Sequence, residues 1–416
     1  VKLEVVTVGT ELVLGLTLDT NAAELGRALA AAGAEIVRHV SVPDRPELIR
    51  AAVADALART GFVITTGGLG PTRDDMTKHE VAALFGKPLE LDQGVLRSLE
   101  ERFRRLGRPM PAVNRTQAEV PAGATVLPNP RGTAPGLWIE DEAGRVVVLL
   151  PGVPSEMRGL LAEEVLPRIV ARLHGRGEDR RVVRSRTIRT TGVPESALAE
   201  RVGAIEGDLA PLTLAYLPSV EGVDLRVTAW ALREDEAERL LAAAAEQLRV
   251  RAGEDCYGED STDLAAAVLE RLRARRARLA VAESCTGGLL AGRVTAVPSA
   301  SDVFVGGVVA YDDHVKTHWL GVPAALLEAH GAVSEEVVRA MAEGAQRHFA
   351  VDAALAVTGI AGPGGGTPEK PVGTVWLAAR FGAEERVVKR VFPGDRGDVR
   401  ARSAQAALDL LRRLLP

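Results

Sequence analysis

Apolar and polar positions along this chain alternate between two kinds of run. KLEVVTVG (2–9) is rich in valine and closed by glycine, the pattern of a buried strand. Residues 19–33 are alanine-rich, opened by Asp19 and stopped by Gly33, as in a capped helix. AEIVRHVSV (34–42) predicts a second strand, 46–60 a helix, and FVITTGG (62–68) a third strand running into a glycine turn. Strands and helices alternating at this length predict a parallel sheet covered on both faces. Ligands of such sheets bind beyond the carboxyl ends of the strands, so the turns after the first and third strands are candidate sites. Residues 111–154 are rich in Pro and Gly and contain a hairpin pattern, and a helix over 155–173 closes this domain.

The polar, basic stretch 174–181 reads as a linker. Residues 182–250 then read strand, helix, two strands, helix, a small α+β unit. A further boundary falls at 253–261. Beyond it come a helix over 262–276, a strand over 277–284, the turn CTGG with a helix, strands at 303–311, 353–359 and 373–380, and an amphipathic helix over 399–415. The expected fold class is α/β in three domains: a parallel-sheet domain over 1–168, the small α+β domain over 174–252, and an α/β domain over 258–416.

Composition narrows the function. A net charge of -5 and a pI of about 5.9 argue against a protein that binds nucleic acid through bulk charge. No stretch approaches the roughly 18 apolar residues of a membrane helix, and the first residues read as a strand rather than a signal peptide. Cys256 and Cys285 are the only cysteines, too few for a disulfide framework, which suits a reducing cytoplasm. Only six of the basic residues are lysine, so each stands out.

AVAESCTGG (280–288) carries the densest local chemistry. A strand ends at Ser284 and a turn with Thr286 and Gly287 opens a helix, whose first N–H groups could stabilise an oxyanion. Serine needs a base to attack a carbonyl. Tyr311 and Lys316, in GGVVAYDDHVK, are the candidates, because Ser–Lys variants of the catalytic triad exist. The plainer alternative makes Ser284 a helix cap, Tyr311 a strand end and Lys316 a solvated residue; spacing alone favours it. Cys285 is a rival nucleophile without a His–Asn pattern. AVTGIAGPGGG (356–366) ends a strand at Thr358 and Gly359 and continues in a glycine loop that lets backbone amides approach a ligand, or simply crosses over. Arg396 and Arg400 in PGDRGDVR could grip a phosphate, or pair with acids at a helix start. His314 and His318 sit i, i+4 but lack the Glu and third ligand of a zinc motif, and read as surface residues flanking Lys316.

In the first domain Thr10 and Glu11 follow the first strand, Asp19 and Asn21 open the next helix, and TTGGLGPTRDD (65–75) follows the third. Gly67, Gly68, Gly70 and Thr72 could cradle phosphate. Asp74 and Asp75 could hold Mg²⁺ or a similar divalent ion, or merely cap the following helix.

AESCTGG, GGVVAYDDHVK, VTGIAGPGGG and PGDRGDVR occur in the order seen in the nicotinamide-nucleotide amidase family, which forms the C-terminal half of the competence-damage-inducible protein A family. The resemblance covers 258–416. It implies that Ser284 is the nucleophile, that Tyr311 and Lys316 activate it, that Thr358 lies near the ligand amide, and that Arg396 or Arg400 contacts the ligand. The implied reaction converts nicotinamide mononucleotide to nicotinate mononucleotide and ammonia, with no cofactor. GTELVLG, DTNA, GGLGPTRDD, NPRGTAPG and LPGVPSEM resemble the molybdopterin-binding family, and specifically the N-terminal domain of the same larger family, over 1–168. That implies divalent-metal-dependent cleavage of ADP-ribose at its diphosphate. Pterin-binding relatives read GGTG where this chain has Gly67-Gly68-Leu69-Gly70, which counts against molybdenum-cofactor binding. The middle domain resembles the family's KH-type insert but lacks the GxxG clamp of an RNA-binding unit, so it reads as a spacer or dimer element. Small nucleotides are the expected partners, with no membrane or nucleic acid, and a homodimer is implied. The competing readings are a molybdopterin-binding or carrier protein without hydrolase activity, and a nucleic-acid-associated competence protein.

Overall fold

The computed structural model describes residues 1–174 and 181–415. Of the expected linker at 174–181, residues 175–180 lie outside the described residues. The chain divides into two compact units, 1–184 with 229–239, and 185–228 with 240–416.

The first unit is built on a six-stranded sheet in the spatial order Glu35–Val42, Lys2–Val8, Phe62–Thr66, Val146–Leu150, Gly136–Glu140, Thr125–Leu127. The first four strands run parallel; the last two pair antiparallel. Side chains alternate between two cores, as a period of two demands. Leu3, Val5, Phe62, Ile64, Val146 and Val148 pack on one face with Leu25, Leu29 and Met157. Val6, Val8, Val63, Val147 and Leu149 pack on the other with Ile49, Val53 and Val81. The sheet is thus covered on both faces, as the alternation of strands and helices predicted. The hairpin pattern at 136–154 forms Gly136–Glu140 and Val146–Leu150. The closing helix differs from the simple expectation. It runs Pro154–Leu160, then through one π-helical stretch, Leu161–Val165, into Leu166–His174. Pro167 has no N–H to offer the preceding turn, and a wider hydrogen-bond spacing accommodates that loss.

A four-stranded sheet orders Thr213–Pro218, Val223–Arg233, Arg181–Thr190 and Cys256–Glu259. The second unit holds a five-stranded sheet in the order Phe304–Val309, Leu279–Glu283, Ala353–Gly359, Thr374–Phe381, Glu384–Val391. The first three of these strands are parallel and the last two join as antiparallel neighbours. Leu279, Val281, Leu355 and Val357 face the helices Leu264–Ala274 and Arg396–Leu414. Ala282, Ala354 and Ala356 face Asp313–Leu320 and Glu335–Phe349, whose contact residues include Leu320, Val337 and Met341. Small alanines on that side let the helices seat closely. The far end of helix Arg396–Leu414 is tied to the four-stranded sheet's module: Gln405 donates to Thr191 Oγ1 at 3.2 Å and Arg413 to Asp255 at 2.6 Å. No helix among the described residues is long and apolar enough to cross a membrane.

Candidate active site

Three parallel strands, Leu279–Glu283, Phe304–Val309 and Ala353–Gly359, end along one edge of the five-stranded sheet. Beyond that edge lies a cavity of about 290 Å³. Ser284, Tyr311, Lys316, Thr358, Gly359 and Arg396 all line it. Residues 112 positions apart in sequence therefore meet at the place where α/β sheets bind ligands.

Ser284 follows its strand directly and is almost buried; its N–H donates to the Val357 carbonyl at 2.9 Å, carrying the ladder one residue further. The turn that follows closes when Gly287 N–H donates to Ser284 O at 3.1 Å. Glu283 is fully buried and accepts backbone N–H bonds from Gly288 and Leu290 at 3.0 Å and from Ala291 at 2.8 Å. This corrects one expectation. The helix N-terminus offered as an oxyanion site is occupied by the protein's own carboxylate, because an ionised acid is the strongest acceptor for those unpaired amides.

Lys316 is 1% exposed and is among the largest fully buried side chains. Its ammonium donates to Asp313 Oδ1 at 3.0 Å and to the Tyr311 carbonyl at 3.1 Å, and not to Ser284. The solvated-lysine alternative is therefore excluded. Tyr311 is 61% exposed at the cavity mouth, where its hydroxyl accepts a bond from Arg396 at 3.1 Å. Arg396 also donates to the Gly362 carbonyl at 2.7 Å, which fixes the guanidinium between the tyrosine and the glycine loop. Arg400 takes a different place. It donates to the Thr286 carbonyl at 2.7 Å and does not line the cavity. Thr286 and Gly287 lie in the turn behind Ser284 and do not line it either. Thr358 Oγ1 donates to Ala332 O at 2.8 Å, so its hydroxyl hydrogen is committed. The loop Ile360, Ala361, Gly362, Gly364, Gly365 forms one wall. At Gly362, φ is +86° and a Cβ would press on the Val372 side chain, so only glycine fits. Cys285 is buried, and burial pushes its thiol up to about 12, which makes it a poor nucleophile. His314 and His318 are exposed with stacked rings 5.6 Å apart.

In the first unit the glycine turn after Phe62–Thr66 is explained by its own packing. A Cβ at Gly67 would strike the Val8 carbonyl, one at Gly68 the Thr77 hydroxyl, and one at Gly70 the Asp75 carboxylate. Asp75 accepts from the Thr72 N–H at 2.9 Å and from the Thr72 hydroxyl. Asp74 is exposed, and hydrogen bonds from Thr72 and from the backbone hold its carboxyl below the usual range. Thr10 donates through N–H and hydroxyl to Asp44 at 2.7 and 2.8 Å. Asn21 reaches Thr66 Oγ1 at 3.1 Å and Gly152 O at 2.8 Å, joining three turns at the carboxyl edge of this sheet. Asn21 Oδ1 and Thr77 Oγ1 are buried without partners. Among the described residues no three His, Cys, Asp or Glu are grouped to hold a metal. Asp74 and Asp75 do not fit a resident metal cage. They fit only an ion that arrives with phosphates, since Mg²⁺ is commonly held by one or two carboxylates plus substrate oxygens.

Three residues were missed in the sequence. Asp313 stands three before Lys316, an i, i+3 acid–lysine pair that was visible in the predicted helix. Glu283 has no flanking signal beyond its neighbour Ser284. Lys78 is buried, donates to Thr116 O at 2.6 Å, and is lowered by burial to about 8, with Glu119 and Asp75 opposing that shift.

Two doubly wound α/β sheets and a small KH-like α+β module, with a polar cavity at the edge of the C-terminal sheet, define the class: a multidomain α/β protein with a molybdopterin-binding-type first domain. Family models match in the same order. Residues 4–171 match "Probable molybdopterin binding domain", 185–258 "Damage-inducible protein CinA KH domain", and 261–415 "CinA C-terminal domain". The chain belongs to the CinA family. A CinA-like protein of Gemmatimonas aurantiaca is 53% identical over 412 residues, 99% of this chain and 96% of that one. A CinA-like protein of Gloeobacter violaceus is 46% identical over the same shares of both chains. A crystal structure of competence damage-inducible protein A from Klebsiella pneumoniae is 40% identical, covers 36% of this chain and 93% of its own, and has a TM-score of 0.35.

Proposed function

We propose that the C-terminal cavity hydrolyses the carboxamide of nicotinamide mononucleotide, with Ser284 as nucleophile. The observation that carries this reading is the convergence of Ser284, a fully buried Lys316, Tyr311, Thr358 and Arg396 on one cavity. A buried amine lining the same cavity as a strand-end serine is a candidate base, because the lysine can take up and return a proton. In this scheme Lys316 first gives up a proton of its own, and Ser284 Oγ then attacks the carboxamide carbon while its proton passes to Lys316 Nζ. The intermediate then collapses, the C–N bond breaks and the lysine proton leaves on ammonia. Water releases the acid from Ser284 by the same route in reverse. Arg396 suits the ligand's phosphate, since a guanidinium matches it bidentately. The test is ammonia release from nicotinamide mononucleotide in EDTA by wild type and by Ser284→Ala. Release by the wild type alone supports the reading; release by neither, or by both equally, overturns it.

For the first unit we propose a second activity, cleavage of ADP-ribose at its diphosphate. The turn at 67–75 and the unpartnered Asn21 Oδ1 and Thr77 Oγ1 at the carboxyl edge of the sheet support a polar ligand there. In this reading the divalent ion comes with the substrate, and Asp74 and Asp75 meet it. Asp74→Asn should lose metal-dependent AMP production while ammonia release persists, and unchanged AMP production would remove Asp74 from the site. Copurifying pterin would favour the carrier reading instead.

A further inference from the structure

Lys316 is held by an acid that the helix does not otherwise need. Helix Asp313–Leu320 is already capped by Asp312, whose Oδ1 accepts from the His314 N–H at 2.8 Å. Asp313 is therefore not the cap. It turns its carboxylate onto the Lys316 ammonium at 3.0 Å and lines the cavity, while its side chain stays 58% exposed. The Tyr311 carbonyl, at 3.1 Å, completes the grip. Two of the three ammonium donors are thus fixed, which sets where Nζ stands in the cavity wall.

A nucleophile, its base, and a third group that orients the base form the recurring logic of covalent hydrolases. We propose that Asp313 is the positioning residue of a Ser284–Lys316–Asp313 set, holding Nζ in place and stabilising the ammonium formed when Ser284 gives up its proton. The inference rests on the amide-hydrolase reading. No net proton is gained by the set: the proton leaves Ser284 Oγ as the O–C bond forms, resides on Lys316 beside the Asp313 carboxylate, and departs with ammonia as the C–N bond breaks. Asp313 accepts the hydrogen bond from Lys316 Nζ throughout.

The experiment uses the full chain and nicotinamide mononucleotide, with ammonia as readout. Asp313→Asn should lower kcat by about 100-fold, the scale of a disabled proton transfer, while KM stays within about twofold. Asp313→Glu should recover part of the loss, and both variants should stay folded at the assay temperature, as read by circular dichroism. A kcat unchanged in Asp313→Asn, with wild type active and Ser284→Ala silent, overturns the role of Asp313 alone. A KM rise that accounts for the whole loss also overturns it, since that marks a ligand contact. A silent wild type overturns the amide-hydrolase reading, and this inference falls with it.

Discussion

Arg400 donates to the Thr286 carbonyl at 2.7 Å, so of the two arginines offered as alternative ligand contacts this one holds the turn that follows Ser284. The two residues are one helical turn apart, and only Arg396 lines the cavity. Their loss should therefore read differently. Arg396→Ala should raise KM for nicotinamide mononucleotide about tenfold or more with kcat little changed, because it removes binding common to ground and transition states. The same variant should show no such loss on the ligand lacking phosphate. Arg400→Ala should lower kcat and melting temperature together, since the turn carrying Ser284 loses its anchor. Steady-state kinetics on both ligands checks this, and equal effects of the two variants would contradict the division of roles.

The reactive group at this turn should be an alcohol and not a thiol. Cys285 is buried and its thiol is pushed up to about 12 by that burial. At pH 8 almost none is thiolate, the nucleophilic form. Iodoacetamide should leave Cys285 unmodified in the folded chain at pH 8 and modify it after unfolding in urea, as read by peptide mass. Cys285→Ala should retain ammonia release within a few-fold. Rapid native labelling, or loss of activity on the order of that in Ser284→Ala, would return the thiol to contention.

Glu283 should behave as a structural residue despite standing next to the nucleophile. It satisfies three N–H groups at 288, 290 and 291 from a fully buried position. Leaving a buried donor unpaired costs about 1–3 kcal/mol. Glu283→Ala should therefore cost on the order of 3 kcal/mol or more, measured by urea unfolding followed on the second unit. Glu283→Gln keeps one acceptor oxygen and should fall between. If Glu283→Ala melts like wild type, the carboxylate is not what holds the turn.

The legible part of this molecule was what local pattern controls. The β-branched, largely apolar runs 2–8 and 62–66, each followed by glycine, read as buried strands, and both are. The convergence of Ser284, Lys316, Thr358 and Arg396 was anticipated only through the order of their motifs, because nothing in spacing brings residues 284 and 396 together. What stayed hidden was how charges pair at short range. Whether Glu283 or a ligand would take the helix amides, and whether Arg396 or Arg400 would face the cavity, depends on side-chain direction around one turn. At 67 and 68 the fold itself also asks for glycine, since both have positive φ and a Cβ would meet the Val8 carbonyl and the Thr77 hydroxyl, a demand the sequence pattern does not separate from a phosphate cradle.

Lys78 gives the first unit a stability that should depend on pH in a defined window. Burial lowers its ammonium from the ordinary 10.5 to about 8, against the opposing pull of Glu119 and Asp75. Below pH 8 the lysine is charged in both the folded and unfolded chain, so its desolvation cost is constant. Between 8 and 10.5 the unfolded chain holds the proton that the folded one has released, and stability rises with pH wherever the unfolded state binds more protons. The slope approaches about 1.4 kcal/mol per pH unit and vanishes above the unfolded value. Lys78→Met removes the titrating group while keeping most of the volume. Relative to that variant, wild type should gain about 2 kcal/mol between pH 7 and 9.5 in urea unfolding of the first unit. Parallel pH profiles would mean that Lys78 keeps its charge in the fold, with the Thr116 carbonyl and nearby acids compensating fully for its burial.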